Sequence, residues 1–218
     1  MLKGIIVFDF DGTLTCQKNS KTMWNLLWAG IGKSQKGALL YSMFHRGIIS
    51  REAWFQETEQ EFYGTVNRVL VSSVANSIKL KDNAVELFRK LTGAGYELYI
   101  LSGGIGVIID KVLASSRLYF TDISANDIVF NEKGELVQLK MTPYDYEGKV
   151  DYIESLIRRI GVHYDCVYFV GNSVNDLSVL SLPIKTICIS PFGLTQGQIS
   201  RWDYICTDLK TVEYYILR

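Results

Sequence analysis

Gly4-Ile5-Ile6-Val7-Phe8, followed by Asp9-Phe10-Asp11-Gly12-Thr13, is the stretch on which the fold turns. Five small or apolar residues with no polar interruption predict a strand buried on both faces, the habit of parallel sheets. Asp9 and Asp11 stand at its carboxyl end, the edge at which open α/β sheets collect their ligands. Alternation turns residues i and i+2 to one side, so both acids face one pocket. Two carboxylates that close repel, and burial sharpens the repulsion. A divalent cation relieves it. A strand end with two solvated acids and a glycine turn is the competing reading of Asp-x-Asp by itself, and the rest of the chain decides between them.

Working outward, residues 20–77 lack strand character and carry helical periodicity: Met23, Trp24, Leu27 and Trp28, then Leu39, Leu40 and Phe44, then Trp54, Phe55 and Phe62. Gly30, Gly47 and Gly64 punctuate the segment, and Ser50 ahead of Ala53-Trp54 marks a helix start. Three or four helices are expected. From Asp82 the pattern becomes βα repeats: a helix over 82–92, a strand over 96–101 closed by a Ser-Gly-Gly turn, and a helix over 106–115. Short strands over 121–141 turn at Asn131-Glu132-Lys133-Gly134. A helix over 148–160, a strand over 166–170, a helix over 176–180 and strands at 184–189 and 204–206 precede a terminal helix. Strands alternating with helices predict an α/β fold with a doubly wound, mainly parallel sheet. The helical insert is expected above the carboxyl edge, over the acid pair.

At 218 residues, nearly half of them apolar, the chain builds one substantial core with an insert. Its 23 basic and 23 acidic residues cancel, which argues against a nucleic-acid binder. The first apolar run is too short to span a membrane, and Lys33 and Lys36 interrupt the apolar region 24–44, so no membrane association and no secretory leader are read. Cys16, Cys166, Cys188 and Cys206 are widely spaced. They read as reduced thiols of a cytoplasmic protein, with Cys166 and Cys188 buried in core strands.

Three further polar clusters fall where this fold brings them beside Asp9. Ser102-Gly103-Gly104 ends a strand with a hydroxyl and free N–H groups, the makings of an anion site. Lys149 opens the helix after Gly148. Gly171-Asn172-Ser173-Val174-Asn175-Asp176 follows another strand. Singly, they read as a helix cap, a solvated lysine and a dipole-favoured acid. In order, each at a strand-to-helix junction, they read as one site. Gly32-Lys33-Ser34 is no phosphate loop, since Leu27 stands where its first glycine belongs. His45 and His163 pair with no nucleophile motif.

With these clusters the chain resembles the haloacid dehalogenase superfamily of phosphohydrolases, and most of all its phosphoserine phosphatase branch, whose helical cap follows the first strand. The match runs from Asp-Phe-Asp-Gly-Thr through Leu101-Ser102-Gly103-Gly104 and Lys149 to Gly-Asn-Ser-Val-Asn-Asp. The resemblance implies a Rossmann-like core over 1–17 and 78–218 with a helical-bundle cap over 18–77. It implies a Mg²⁺-dependent phosphomonoester hydrolase acting on a small phosphorylated metabolite, as a monomer or homodimer. Asp9 would be the nucleophile that forms an aspartyl-phosphate, and Asp11 the general acid and then base. Mg²⁺ would be held by Asp9, the Asp11 carbonyl, Asn172 and Asp176. Ser102 and Lys149 would hold the phosphoryl oxygens, aided by Thr13 and the N–H groups of Gly12 and Gly103. A phosphotransferase of the same family and a non-catalytic phospholigand binder are the alternatives.

Two departures stand out. Family members carry Asp where this chain has Asn172, which offers a carbonyl oxygen without charge; Mg²⁺ is still expected, because Asp9 and Asp176 remain. The cap Glu and Arg that grip phosphoserine fall, on an ungapped count, at Lys18 and near Thr58, and neither matches; a shifted loop would leave Arg46 or Arg51, nearby in sequence, as the arginine. Lys18 is thus a candidate substrate residue, and it reads equally as a solvated lysine, as does Lys21. The aromatics Trp24, Trp28, Tyr41, Phe44, Trp54, Phe55, Phe62 and Tyr63 read mostly as bundle core, with one or two facing the cleft.

Overall fold

The computed structural model describes residues 2–16, 22–144, 146 and 148–218. Among them, strands β1 (Gly4–Phe8), β2 (Tyr96–Ile105), β3 (Phe120–Phe130), β4 (Leu136–Lys140), β5 (Val167–Gly171), β6 (Lys185–Ile189) and β7 (Tyr204–Cys206) form one sheet, ordered β4-β3-β2-β1-β5-β6-β7. All pairs are parallel except β3 with β4, the predicted hairpin. The mainly parallel α/β architecture read from the sequence is the one observed. β1 lies between β2 and β5, which buries it edge to edge as well as face to face.

Four helices separate β1 from the repeats: α1 (Met23–Gly30), α2 (Ser34–His45), α3 (Arg51–Phe62) and α4 (Arg68–Ser77). Their starts follow the capping residues. Thr22 and Asn25 form a reciprocal capping box at α1, Ser50 Oγ accepts from the Ala53 N–H at α3, and Asn67 caps α4. The later helices are α5 (Ala84–Gly93), α6 (Gly106–Leu113), α7 (Gly148–Ile160), the short α8 (Gln196–Ile199) and α9 (Leu209–Leu217).

The alternation of β1 sorts its side chains into two layers. Ile6 and Phe8 join Leu87, Phe88, Ile109 and Val212 on the face covered by α5, α6 and α9. Ile5 and Val7 join Ile153, Leu156 and Phe169 on the α7 face. Each side chain contributes roughly 1.5–3 kcal/mol of apolar burial. A one-residue slip would exchange the two sets, so both layers hold the register that presents Asp9 at the rim.

Three local expectations are corrected. β2 does not turn at Ser102 but runs to Ile105, because Ser102 pairs with Ala125 and Ile105 with Asn126, with Gly103 and Gly104 bulged between them. The helix expected over 176–180 starts earlier, spans Val174–Ser181 and is of the 3-10 type. Cys166 lies in a 3-10 turn before β5 and is half-buried, while Cys188 is in the core as expected. All four cysteines are free. No helix among the described residues is long and apolar enough to cross a membrane.

Candidate active site

The site is built at the carboxyl ends of β1, β2 and β5. The Asp9 N–H donates to Val170 O at 2.9 Å, so the chain stays held against β5 one residue past its own strand. The following turn needs a left-handed residue, supplied by Gly12 at φ 77°. Its N–H donates to Thr15 Oγ1. The turn aims Asp11 at α1, where Oδ2 accepts from the Met23 N–H at 3.3 Å. A helix N-terminus favours a carboxylate there.

Beneath Asp9, Lys149 has no exposed surface. Its Nζ donates to Asp9 Oδ1 at 3.1 Å and to Asp176 Oδ1 at 2.7 Å. A lysine this deep is retained only with paired charge. Asp176 is equally buried, and its other oxygen accepts from the N–H groups of Asn172 and Ser173 at 2.9 and 3.1 Å. Both Asp176 oxygens thus face the lysine and the loop. Asp176 thus holds Lys149 and shapes the Asn172 loop within the same buried cluster as Asp9.

Gly171 makes this arrangement possible. A Cβ there would stand 2.6 Å from Asp176 Oδ2 and 2.7 Å from a Phe169 ring carbon. Gly171→Ala is expected to cost about 1–3 kcal/mol through overpacking, read as a lower denaturant midpoint.

Ser102 is buried and accepts from the Gly104 N–H at 3.1 Å. The Gly103 carbonyl accepts from both Trp24 Nε1 and Asn126 Nδ2 at 2.9 Å. Asn126 Oδ1 in turn accepts from the Thr142 N–H. The bulge is therefore pinned by the indole of α1 on one side and by β3 on the other.

Thr13 Oγ1 lies 3.4 Å from both Asp9 Oδ2 and Asn172 Oδ1. A hydroxyl has one proton and satisfies one of these oxygens at a time. Burial, partly opposed by Lys149, pushes Asp9 up to about 7. Burial, with Asp9 beside it, pushes Asp11 up to about 7. Among the described residues no group of three or more His, Cys, Asp or Glu side chains is placed to hold a metal. A cation here would draw on the Asn172 amide and on backbone oxygen as well as on carboxylates. Such an all-oxygen set fits a hard divalent ion, and the ion's charge would restore ionisation to the buried acids.

Asp9, Asp11, Ser102, Gly103 and Asn172 line one cavity of about 360 Å³, with Thr13, Lys149 and Asp176 buried behind them. The sequence reading does not single out Asn175, and it names Arg51 only beside Arg46 as a stand-in for the cap arginine. Asn175 also lines the cavity, and its buried Oδ1 has no hydrogen-bond partner among the described residues. Its place inside the fourth cluster was the available signal. Arg51 Nη2 donates to Thr142 O at 2.6 Å on the cavity wall. Thr58 is buried within the bundle and donates to Trp54 O, away from the cavity. Lys18 and Lys21 lie outside the described residues.

The sequence matches the haloacid dehalogenase-like hydrolase family over residues 6–181, from β1 to the segment carrying Asp176. The chain belongs to the haloacid dehalogenase-like hydrolases. This haloacid dehalogenase-like chain is 28% identical over 175 residues to a phosphoserine phosphatase of Archaeoglobus fulgidus, covering 80% of this chain and 48% of that protein, about half its length. It is 24% identical over 187 residues to a phosphoserine phosphatase of Halobacterium salinarum, covering 86% of each. A solved structure described as a phospho-aspartyl intermediate analogue of phosphoserine phosphatase superposes with a TM-score of 0.78 at 20% identity, over 99% of this chain and all of the other. At that identity the likeness speaks for the fold.

Proposed function

We propose that this haloacid dehalogenase-like hydrolase is a phosphatase that cleaves phosphomonoesters of small metabolites through a phosphorylated Asp9. The observation that carries the reading is Lys149, fully buried between Asp9 and Asp176 at the end of the central strand. A buried cation beside a carboxylate at the mouth of a cavity is a ready partner for phosphoryl oxygens. The relatives' names support the same chemistry and make phosphoserine one candidate substrate.

In this reading an Asp9 oxygen attacks phosphorus while the ester P–O bond breaks, and Asp11 gives its proton to the departing alkoxide. Water then attacks the aspartyl-phosphate, Asp11 takes its proton, and phosphate leaves with Asp9 restored. A carboxyl held up to about 7 by burial suits that donor role. Lys149 and Ser102 hold the equatorial oxygens, and the pinned Gly103 peptide keeps the strand end in place. Mg²⁺ would be held by Asp9, the Asp11 carbonyl and Asn172, with Asp176 as a further ligand or as the support of the Asn172 loop, and would supply neutralising charge for the transferring group. Helices α1–α4 act as the cap, over 18–77, above the core of 1–17 and 78–218, and exclude water around the leaving group.

Phosphate release across a panel of metabolite phosphoesters, with and without Mg²⁺, tests this function. Release that depends on Asp9 and is blocked by beryllofluoride is expected; no release from any ester would overturn it. Asn172→Asp adds a charge to the proposed cation site. It is expected to lower the Mg²⁺ concentration that half-saturates thermal stabilisation by at least about tenfold. An unchanged titration would remove Asn172 from that site.

A further inference from the structure

We propose that the leaving group this site accepts carries an aromatic ring. The chemistry of that ester rests on the phosphatase reading; its recognition is argued from the cavity alone. One cavity joins Asp9 and Asp11 to the side chains of Trp24, Trp28, Tyr41, Phe44, Trp54 and Tyr146. At about 360 Å³ it sits near the lower end of ligand cavities, with space for a phosphate and one ring system.

The rings are braced against each other. Trp24 meets Trp54 edge-on at 5.3 Å, Phe44 stacks on Trp54 at 5.8 Å, and Phe44 meets Tyr146 edge-on at 5.5 Å. Behind them Phe62 stacks on Trp24 at 6.2 Å without reaching the cavity. The Trp24 indole is also bonded to the Gly103 carbonyl, which fixes the aromatic wall relative to Ser102. A wall so held loses little freedom on binding and offers a further ring edge and face contacts.

The charges favour a ring over the other occupant such a wall suits, an alkylammonium group. Among the described lining residues the charged ones are Asp9, Asp11 and Arg51. The two acids belong to the reaction, and the aromatic wall itself adds no carboxylate that would draw a cation in. A short polar leaving group would leave most of the aromatic wall against water.

The test compares 2-phenylethyl phosphate with ethyl phosphate, which differ in the ring and share the same kind of alcohol. Phosphoserine and phosphocholine serve as polar and cationic arms. The wild-type protein with Mg²⁺ is expected to favour the phenylethyl ester at least tenfold in kcat/KM, mostly through KM. Calorimetry on Asp9→Asn is expected to show the same order of affinities. Tyr41 is 44% exposed, so Tyr41→Ser empties no core, and it is expected to shrink the phenylethyl-to-ethyl ratio. Equal affinities for the two alkyl esters, or tighter binding of phosphoserine or phosphocholine, overturn the proposal. Selective binding of the ring ester without turnover of any ester would retain it and overturn the phosphatase reading instead.

Discussion

Asp9→Asn is expected to reduce phosphate release by about 10⁴-fold or more, the scale on which removal of a nucleophile acts. The amide matches the carboxylate in shape and cannot form the covalent intermediate. The fold is expected to survive. Lys149 keeps its 2.7 Å partner Asp176, and the substitution removes a charge that burial already disfavours, as the rise of Asp9 to about 7 records. Single-turnover phosphate release and thermal unfolding of the metal-free protein check both halves. Residual turnover within tenfold of wild type would mean that water attacks phosphorus directly and that Asp9 is not the nucleophile.

Lys149→Met has the second large effect, and it separates charge from shape. The lysine holds two buried acids at once, and its loss leaves them facing each other without a counter-charge. Breaking a buried pair costs about 3–5 kcal/mol. Turnover is expected to fall by a further factor of about 10²–10³ through lost stabilisation of the transferring phosphoryl group. The double substitution Lys149→Met with Asp176→Asn tells the two apart. Asparagine at 176 retains an oxygen for the Asn172 and Ser173 N–H groups and removes the surplus charge. The double variant is expected to regain much of the denaturant midpoint and none of the activity. If it stays as unstable as the single variant, the cost lies in packing around the missing side chain.

The sequence exposed those parts of the molecule where local pattern and tertiary demand agree. β1, the 131–134 hairpin, α7 and the capped start of α3 lie where periodicity and capping residues put them. The acids, the serine and the Asn172 loop are brought together because each lies toward the carboxyl end of a parallel strand, and Lys149 reaches them from the first turn of α7. Other features depend on partners distant in sequence. Ser102-Gly103-Gly104 has turn composition, yet pairing with Ala125 and Asn126 carries the strand through it. Helical spacing puts Trp24, Phe44 and Trp54 on the apolar faces of three helices, but whether those faces meet protein or a cleft depends on how the helices sit together. Asp176 reads as a ligand by composition, and its engagement with Lys149 follows from the depth of both side chains. Local pattern leaves Arg46 and Arg51 as alternatives for the cap arginine, and the bond from Arg51 to Thr142, distant in sequence, goes with its place on the cavity wall.

The position of β1 bears on how the polypeptide emerges from the ribosome. β1 is made first and sits at the centre of the sheet, but its second neighbour, β5, is synthesised last of the strands it touches, with Ile5 opposite Val167. Once β4 is complete, about 30 residues must still be added before β5 ends, which at ordinary elongation rates takes about 2–6 seconds. Any half-sheet assembled in that interval would present Gly4–Phe8 as a bare, uncharged edge, the kind of surface that recruits neighbouring nascent chains. Chaperone engagement during translation, released when β5 docks, is the expected signature of this strand order.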